Sequence, residues 1–250
     1  MKIRLKTKEE ILRIGEAGRI LAECHQGIAQ LIGPGITTLE IDRFVESFLA
    51  GRGATPEQKG YHGFPFATCA SVNDVVCHGF PNDRKLQAGD IVTIDIVVNK
   101  NGWLADSAWS YRVGEVGPDA EKLLQATEQA LGAGIAQAYP GNKIGDIGYA
   151  VQRVAAAANS GIVKALIGHG IGRSMHEPPD VPNFGRPKSG VTLQPGMVIT
   201  IEPIFTGGNT GAVLWEDDGW TIRSADGSLG AHYEHTLAIT EDGPVVLSIL

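Results

Sequence analysis

The sequence predicts an α+β fold made of two similar halves, each a pair of helices followed by a strand. Residues 86–95 recur as residues 193–202, with five of the ten positions identical. A Pro-Gly pair that ends a long helical pattern also recurs, at residues 34–35 and 140–141. The two offsets, 107 and 106 residues, are nearly equal, so one duplicated unit explains both repeats. The halves are expected to span about residues 1–115 and 116–250 of a single domain, 1–250.

The composition is typical of a soluble globular protein and excludes several classes of function. Hydrophobic residues make up 43% and charged residues 20% of the 250 positions. A net charge of −7 argues against nucleic-acid binding, which requires basic patches. Three cysteines (Cys24, Cys69 and Cys77) are too few for a disulfide framework. No apolar signal core or membrane span is visible, so we expect a cytoplasmic protein.

Two amphipathic helices are predicted in the first half. Thr7 and Glu10 have the spacing of a capping box, so the first helix should begin after Thr7. The second helix should be capped by Thr37 or Thr38 and end near Gly51. The apolar face of the first helix would comprise Ile11, Leu12, Ile14, Leu21, Cys24, Ile28 and Leu31. The buried face of the second would comprise Leu39, Ile41, Phe44, Val45 and Phe48.

The second half repeats the helical pattern, with one helix from Asp119 towards Tyr139 and another over about 144–159. In the first half, a strand through residues 75–76 should deliver His78. In the second half, residues 219–222 are predicted to form an edge segment.

Each copied strand ends on a carboxylate, Asp95 or Glu202, which is an unusual residue for a buried run. After Asp95, residues 99–102 predict a hairpin turn and residues 103–109 a second strand. With a turn loop of two or four residues, Asp106 lies opposite or diagonal to position 95 on the same face of the sheet. An odd number of loop residues would point Asp106 away.

The carboxylates predict a metal centre. A strand-like run over 232–239 places Glu234 among apolar residues, as in the other three cases. Gathered by the two halves, Asp95, Asp106, Glu202 and Glu234 are stable together only if protonated or neutralised by cations. Basic residues are scarce around these strands, so metal ions are the expected neutralisers. Four carboxylates and one imidazole, best supplied by His169, suit two divalent ions about 3.5–4 Å apart.

Each of these residues also has an ordinary structural explanation when it is considered singly. A lone acid at a strand end usually faces solvent or caps a turn. His78, His176 and His235 could each be packed or surface histidines. The repeat favours the metal interpretation because it couples Asp95 to Glu202.

An ordered set of short motifs resembles the type I methionine aminopeptidases, metallopeptidases with the pita-bread fold of family M24. Each motif alone is weak, but the set covers essentially the whole chain and is specific. The motifs are Tyr61-His-Gly-Phe-Pro65, Asn73-Asp-Val-Val-Cys-His-Gly79, Ile94-Asp95, Ala105-Asp106-Ser107, Gly168-His-Gly-Ile-Gly172, His176-Glu-Pro178, Ile201-Glu-Pro203 and Tyr233-Glu-His-Thr236. The resemblance implies two pseudo-symmetric helix–helix–strand halves around a curved antiparallel sheet, forming one catalytic domain.

The resemblance also implies an activity: hydrolysis of the N-terminal methionine from nascent proteins and peptides whose second residue is small. The implied cofactors are two divalent ions of Co, Mn, Fe or Zn, bridged by Asp106 and Glu234. Glu202 would shuttle the proton of the attacking water, His176 would stabilise the oxyanion, and His78 would bind the backbone of the next residue. The implied metal-binding residues are Asp95, Asp106, His169, Glu202 and Glu234.

The residues implied to bind substrate are His78, His176, Tyr61, Phe64, Cys69, Met175 and Trp220. An apolar pocket of this kind suits an unbranched thioether. Two positions depart from the usual motifs: Ser107 replaces a frequent Thr, and Met175 stands where an aromatic residue often precedes the histidine. The interval of 26 positions between His176 and Glu202 leaves no room for the insertion of type II enzymes.

Three other functions remain open from the sequence. A proline-directed aminopeptidase or dipeptidase of the same fold is one, although such enzymes usually carry an extra N-terminal domain. A catalytically inert pita-bread protein that binds other proteins is disfavoured by the presence of all five ligand types. A metal-storage protein would not need His78 and His176. The expected partners are N-termini of nascent polypeptides and, as a candidate, the ribosome, without nucleic-acid or membrane partners, and the chain is expected to be a monomer.

Overall fold

The protein, described here by a computed structural model over residues 3–249, contains the predicted helices and antiparallel strands. The helices are α1 (Lys8–Leu31), α2 (Thr38–Ala50), α3 (Pro118–Ile135) and α4 (Ile144–Ala158), with a 3₁₀ turn at Tyr61–Gly63. The strands of the first half are β1 (Thr55–Pro56), β2 (Cys69–Val72), β3 (Val75–Cys77), β4 (Ile91–Lys100) and β5 (Trp103–Arg112). Those that follow are β6 (Gly161–Ile162), β7 (Gly168–Gly170), β8 (Glu177–Val181), β9 (Val198–Ile201), β10 (Ile204–Thr206), β11 (Val213–Trp215), β12 (Ile222–Ser224), β13 (Gly230–His232), β14 (His235–Thr240) and β15 (Gly243–Val246).

Capping boxes fix the starts of the first two helices. The hydroxyl of Thr7 accepts from the Glu10 amide, and the Glu10 carboxylate accepts from the Thr7 amide, as predicted. Thr37, rather than Thr38, caps α2 in the same way with Glu40. These reciprocal bonds satisfy amide groups that the first helical turn leaves without partners.

The prediction of the apolar face of α1 was wrong at two of its residues, Leu12 and Leu31. Leu12 and Leu31 are 71% and 39% exposed, because they lie outside the arc that faces the sheet. In α2, Ile41 and Val45 are buried as predicted, and Leu49, which the sequence pattern did not single out, is buried with them.

The β4–β5 hairpin confirms the turn on which the position of Asp106 depends. Lys100 pairs with Trp103, so the loop has two residues, and both Asn101 and Gly102 have positive φ angles. In this register Asp106 pairs with Val97, two residues from Asp95, and therefore lies diagonal to Asp95 on the same face. Asp95 itself lies in the middle of β4, so the prediction that it ends the strand was wrong.

The second half contains a five-stranded sheet in the order β15-β14-β9-β7-β8. Glu202 directly follows β9, as predicted. The predicted strand over 232–239 is interrupted at Glu234, because the Glu234 amide donates to Ala108 of β5 instead of continuing β14. The prediction of an edge segment at 219–222 was also wrong, because β12, which begins at Ile222, lies between β11 and β3.

Equivalent hydrogen bonds dock each repeated segment onto its own half. The Gly35 amide donates to the Leu86 carbonyl at 2.8 Å, and the Gly141 amide donates to the Leu193 carbonyl at 2.9 Å. Isolated β-bridges join Thr37 to Lys85 and, in the second half, residue 143 to residue 192. The repeat in sequence is therefore a repeat in structure, while the division near residue 115 and the single-domain organisation stay predictions.

Two hydrophobic cores lie mainly one in each half, and both apolar and polar contacts join the halves. One core packs α1 and α2 against β4 and β5, and the other packs α3 and α4 against β9 and β14. Lys6 links the start of the chain to the second half, through its amide to Gly196 at 2.7 Å and its ammonium to Glu177 at 2.7 Å.

Within residues 3–249, no helix combines the length and apolarity needed to cross a bilayer.

Thr236 makes the hydrogen bonds that hold Asp106 across this junction. Its buried hydroxyl accepts from the Asp106 amide at 2.9 Å and donates to the Asp106 carbonyl at 2.8 Å. Ser107 adds a bond from its hydroxyl to the Glu234 carbonyl at 2.9 Å. The backbones that carry Asp106 and Glu234 are thereby fixed to each other.

Replacing Thr236 by valine should lower the free energy of unfolding by about 2–4 kcal/mol, because two buried backbone groups of Asp106 lose their partners. Urea unfolding would measure the change. Thr240→Val is the matched control, since Thr240 is on the same strand and bonds Gly243 near the surface. An equal loss in both variants would contradict a special role for Thr236.

Candidate active site

One cavity gathers every residue that was predicted to bind metal or substrate. Its volume is about 160 Å³, and it lies where the two halves meet. The predicted residues along its wall are Asp95, Asp106, His169, Glu202, Glu234, His78, His176, Tyr61, Phe64, Cys69, Met175 and Trp220. Six further lining residues were not predicted: Gln58, Cys77, Val97, Leu166, Ile167 and His232.

Three strands and two strand-flanking positions from both halves supply the predicted metal-binding side chains. Asp95 comes from β4 and Asp106 from β5, whereas His169 is the middle residue of β7. The His169 Nε2 atom lies 3.8 Å from Asp106 Oδ2 and 3.8 Å from Glu202 Oε2. Ligand atoms of Asp106, His169 and Glu234 all lie within 4.8 Å of one another. The arrangement is a compact set of oxygen donors around one imidazole.

Two glycines allow His169 to occupy this position. A Cβ atom on Gly168 would lie 2.6 Å from the Thr200 carbonyl oxygen, and one on Gly170 would lie 2.3 Å from the Pro178 oxygen. The His169 Nδ1 atom is 3.0 Å from the Gly170 carbonyl. When Nδ1 donates its proton there, Nε2 keeps a lone pair for the carboxylate cluster, which is the tautomer a metal ligand requires.

In the absence of cations, the carboxyl groups of the cluster have raised pKa values and tend to keep their protons. Burial raises the pKa of Asp95 to about 7. Burial, with repulsion from Asp95, raises the pKa of Glu202 to about 8. Burial followed by repulsion from neighbouring carboxylates raises the pKa values of Asp106 and Glu234 well above the ordinary range. Four acids in one cavity therefore resist ionisation.

Some carboxylate oxygens of the cluster receive no hydrogen bond from the described residues of the protein. Asp106 Oδ1 and Glu234 Oε1 are buried and have no hydrogen-bond partner among residues 3–249. Burial also lowers the pKa of His169 to about 4, which leaves a neutral imidazole able to bind a metal. Oxygen atoms without donors, beside a neutral imidazole, fit divalent cations.

Two further histidines lie at the cavity. His78 follows β3 directly and has a φ of 54°, a left-handed conformation in which few non-glycine residues are found. The His176 ring lies 4.5 Å from the His169 ring, and its Nδ1 atom is 3.1 Å from the Tyr61 hydroxyl. Burial lowers the pKa of His176, so its ring is neutral near neutral pH.

An apolar wall completes the cavity. Phe64 is 1% exposed, and its ring meets Trp220 at 5.0 Å and Phe80 at 5.3 Å between centroids. Met175 is also buried and contacts the core of the first half. Phe80, like Phe66 beside it, was not predicted, since nothing in its sequence context separates it from ordinary core residues.

The lining residues that were not predicted differ in how far the sequence could have revealed them. Gln58 donates to the Asp95 carbonyl at 2.9 Å but lies in a loop with no recognisable motif. Cys77 and His232 stand beside predicted residues in the sequence, and their position at the cavity depends on the packing of β3 against β13. His235 lies elsewhere, bonded to Ser248 at 2.8 Å.

The sequence matches the model of metallopeptidase family M24 over residues 13–241. The methionine aminopeptidase of Clostridium perfringens is 46% identical over 246 residues, which cover 98% of this chain and 98% of that protein. Methionine aminopeptidase 1 of Bacillus subtilis is 42% identical over 243 residues, with coverage of 97% and 98%.

Solved structures agree with this assignment. The methionine aminopeptidase from Rickettsia prowazekii superposes with a TM-score of 0.97 at 39% identity, covering 99% of this chain and 100% of that chain. The prolidase from Pyrococcus furiosus gives a TM-score of 0.77 at 23% identity and covers 98% of this chain and 65% of its own, which shows a shared fold alone. The chain has the pita-bread fold, and it belongs to the methionine aminopeptidases of metallopeptidase family M24.

Proposed function

We propose that this chain is a metal-dependent aminopeptidase that removes the N-terminal methionine from proteins and peptides whose second residue is small. The observation that carries the proposal is a small apolar cavity with a buried carboxylate cluster in its wall. Full-length relatives named methionine aminopeptidases at 40–46% identity support the same activity. We further propose that it acts on nascent chains in the cytoplasm as a monomer, with the ribosome as a candidate partner.

The cofactors of this family are divalent metal ions, and we assign two to this site on grounds of charge. Two divalent cations would neutralise the four carboxylates, and Co, Mn, Fe and Zn all accept oxygen and imidazole donors. When bound, such ions acidify water and polarise a carbonyl group. The residues that would hold them are Asp95, Asp106, His169, Glu202 and Glu234.

The chain's own groups would then move protons and orient the substrate. Donation from the Tyr61 hydroxyl to His176 Nδ1 would leave Nε2–H to stabilise the oxyanion that forms at the substrate carbonyl. Glu202, whose carboxylate lies in the wall of the cavity, would take a proton from the attacking water and release it to the departing amine. His78 would hydrogen-bond the backbone after the cleaved bond.

The apolar wall would bind the methionine side chain. Tyr61, Phe64, Cys69, Met175 and Trp220 surround a space that excludes water from a thioether, and sulfur packs well at aromatic edges. The small size of the cavity favours one unbranched side chain. Similarity to the proline-directed enzymes, at 20–23% identity, supports the fold and does not support their specificity.

The metal-free protein should lose stability as pH rises from about 7 to about 8.5. The folded state keeps a proton on Glu202, with a pKa of about 8, whereas an unfolded glutamate has lost it above the ordinary value of 4.5. Since the folded state binds more protons, unfolding becomes easier by up to about 1.4 kcal/mol per pH unit for each proton. Urea unfolding in a chelator would measure this slope.

Two controls accompany the pH series. Glu202→Gln should flatten the slope because it removes one titrating group, and a saturating divalent ion should abolish the loss. The buried histidine His169 adds little to this slope. Its pKa is about 4 in the folded state and ordinarily 6.5, so above pH 7 its ring is mostly neutral in both the folded and the unfolded protein. A metal-free protein equally stable across this pH range would contradict the charge argument.

Replacing His176 by alanine should lower kcat on the order of 10²–10³-fold without changing metal content, because it removes an oxyanion donor and no metal ligand. His78→Ala should also keep its metal. Elemental analysis and peptide kinetics would measure both. If either variant lost metal while His169→Ala retained it, the ligand assignment would be wrong.

Tyr61→Phe separates the donor role of His176 from simple packing. The substitution keeps the ring and removes the hydroxyl that bonds Nδ1. We expect a smaller fall in kcat than in His176→Ala, and no additional fall when both substitutions are combined. Additive effects in the double variant would show that Tyr61 acts independently of His176.

Competition among peptides should show release of methionine from Met-Ala and Met-Ser starts and little action on Pro-Xaa or Xaa-Pro bonds. Norleucine should substitute in part, because it matches the length of methionine, and leucine should be poor because it branches at Cγ. Met175 can widen this tolerance because its side chain is flexible. Preference for an Xaa-Pro peptide would place the chain with the proline-directed enzymes.

A further inference from the structure

A second group of metal-binding atoms lies in the same cavity. The Cys77 thiol, an Asp95 carboxylate oxygen and a His232 ring nitrogen all lie within 4.8 Å of one another. Cys77 and His232 are 4% and 3% exposed, and both line the cavity. Neither belongs to the five residues assigned above to the carboxylate centre.

The His232 ring lacks the hydrogen bonds expected of a buried imidazole. Both Nδ1 and Nε2 are without a partner among residues 3–249. The nearest acid, Glu234, is 3.8 Å from Nε2, which is too far for a hydrogen bond. A buried polar atom left in this state destabilises the folded protein. A ligand bound at the ring would remove that destabilisation.

The backbone, rather than the ring, holds His232 in place. Its amide donates to the Ser110 hydroxyl oxygen at 3.0 Å, and its carbonyl accepts from the same hydroxyl at 2.9 Å. A Cβ atom on Gly230 would lie 2.5 Å from Val76 Cγ1, so glycine is what allows β13 to pack closely on β3. This close packing places His232 beside Cys77, which directly follows Val76.

We infer that Cys77, Asp95 and His232 form a further divalent-ion site, selective for thiophilic ions such as Zn²⁺, beside the carboxylate centre. One thiolate, one imidazole and one carboxylate are donors that zinc accepts, with a fourth position open to solvent or substrate. With zinc–ligand bonds of about 2.0–2.3 Å, two ligand atoms of one ion lie at most about 4.4 Å apart. The three ligand atoms here lie within 4.8 Å of one another, so small side-chain movements would bring them to bonding distance. The thiol proton passes to solvent as the ion binds.

Shared use of Asp95 links this site to catalysis. A carboxylate has two oxygens and can contact both sites, but an ion at Cys77 and His232 would draw Asp95 away from the carboxylate centre and fill part of the cavity. Excess Zn²⁺ should therefore inhibit. This consequence rests on the proposed function, whereas binding of the ion does not.

The test uses the full chain with its carboxylate centre loaded with Mn²⁺, which prefers oxygen donors. Titration with Co²⁺ should produce a near-ultraviolet thiolate-to-cobalt charge-transfer band. Cys77→Ser should abolish the band, and His232→Gln should raise the half-saturating Co²⁺ concentration at least tenfold. Cys69→Ser is the matched control, because Cys69 is a buried thiol of the same cavity and should leave the band intact.

Several outcomes would overturn the inference: no band in the wild-type chain, a band that survives in Cys77→Ser, or one that is lost in Cys69→Ser. If Cys77→Ser does not fold, as judged by circular dichroism, an unchanged titration of His232→Gln overturns it instead. Methionine release by the Mn²⁺ enzyme is measured separately. Release without a band rejects this site and leaves the proposed function standing, and a band without release does the reverse. Relief of Zn²⁺ inhibition in Cys77→Ser would support the coupling.

Discussion

Four carboxyl groups that repel one another when ionised share one cavity, and the rest of the structure is arranged to hold them there. No local element could do this alone, because each acid comes from a different strand or strand end. The bonds from Thr236 to the Asp106 backbone and from Ser107 to the Glu234 carbonyl act against that repulsion. These bonds involve neutral groups, so they hold whether or not the carboxylates are ionised. The site is thus preorganised for cations by hydrogen bonds that do not themselves carry charge.

Duplication supplies the framework, and divergence makes the two halves different. Strand β2 pairs with β4 in one half as β7 pairs with β9 in the other. The first pair places Cys69 opposite Asp95, and the second brings His169 near Glu202. One half therefore contributes a wall of the cavity where the other contributes an imidazole. An asymmetric site arises from a nearly symmetric scaffold.

The sequence predicted those features that depend on local chemistry. The capping box at Thr7 and the two-residue hairpin loop at Asn101-Gly102 are short-range devices, and the hairpin was enough to put Asp106 on the same face as Asp95. Glu234 was wrongly expected within a strand because its amide bonds to a strand 126 residues earlier, at Ala108, which no local pattern reveals. The prediction of the substrate-binding residues came from the resemblance to a family rather than from spacing. His232 escaped prediction because what distinguishes its ring, the lack of a hydrogen-bond partner among residues 3–249, becomes visible only once the fold is known.

The long reach of the junction bonds has a consequence for the order in which the molecule matures. Thr236 and Asp106 are 130 residues apart, and Lys6 and Glu177 are 171 apart. During synthesis the chain emerges from its N-terminus, so α1, α2 and the β4–β5 hairpin are complete long before their partners exist. Until residue 236 has left the ribosome, the backbone of Asp106 lacks its hydrogen bonds to Thr236. Lys6 likewise lacks its partner until residue 177 has emerged. Such distant contacts also slow folding, because long loops must close before they form. An enzyme that acts on the first residue of other chains becomes able to do so near the end of its own synthesis.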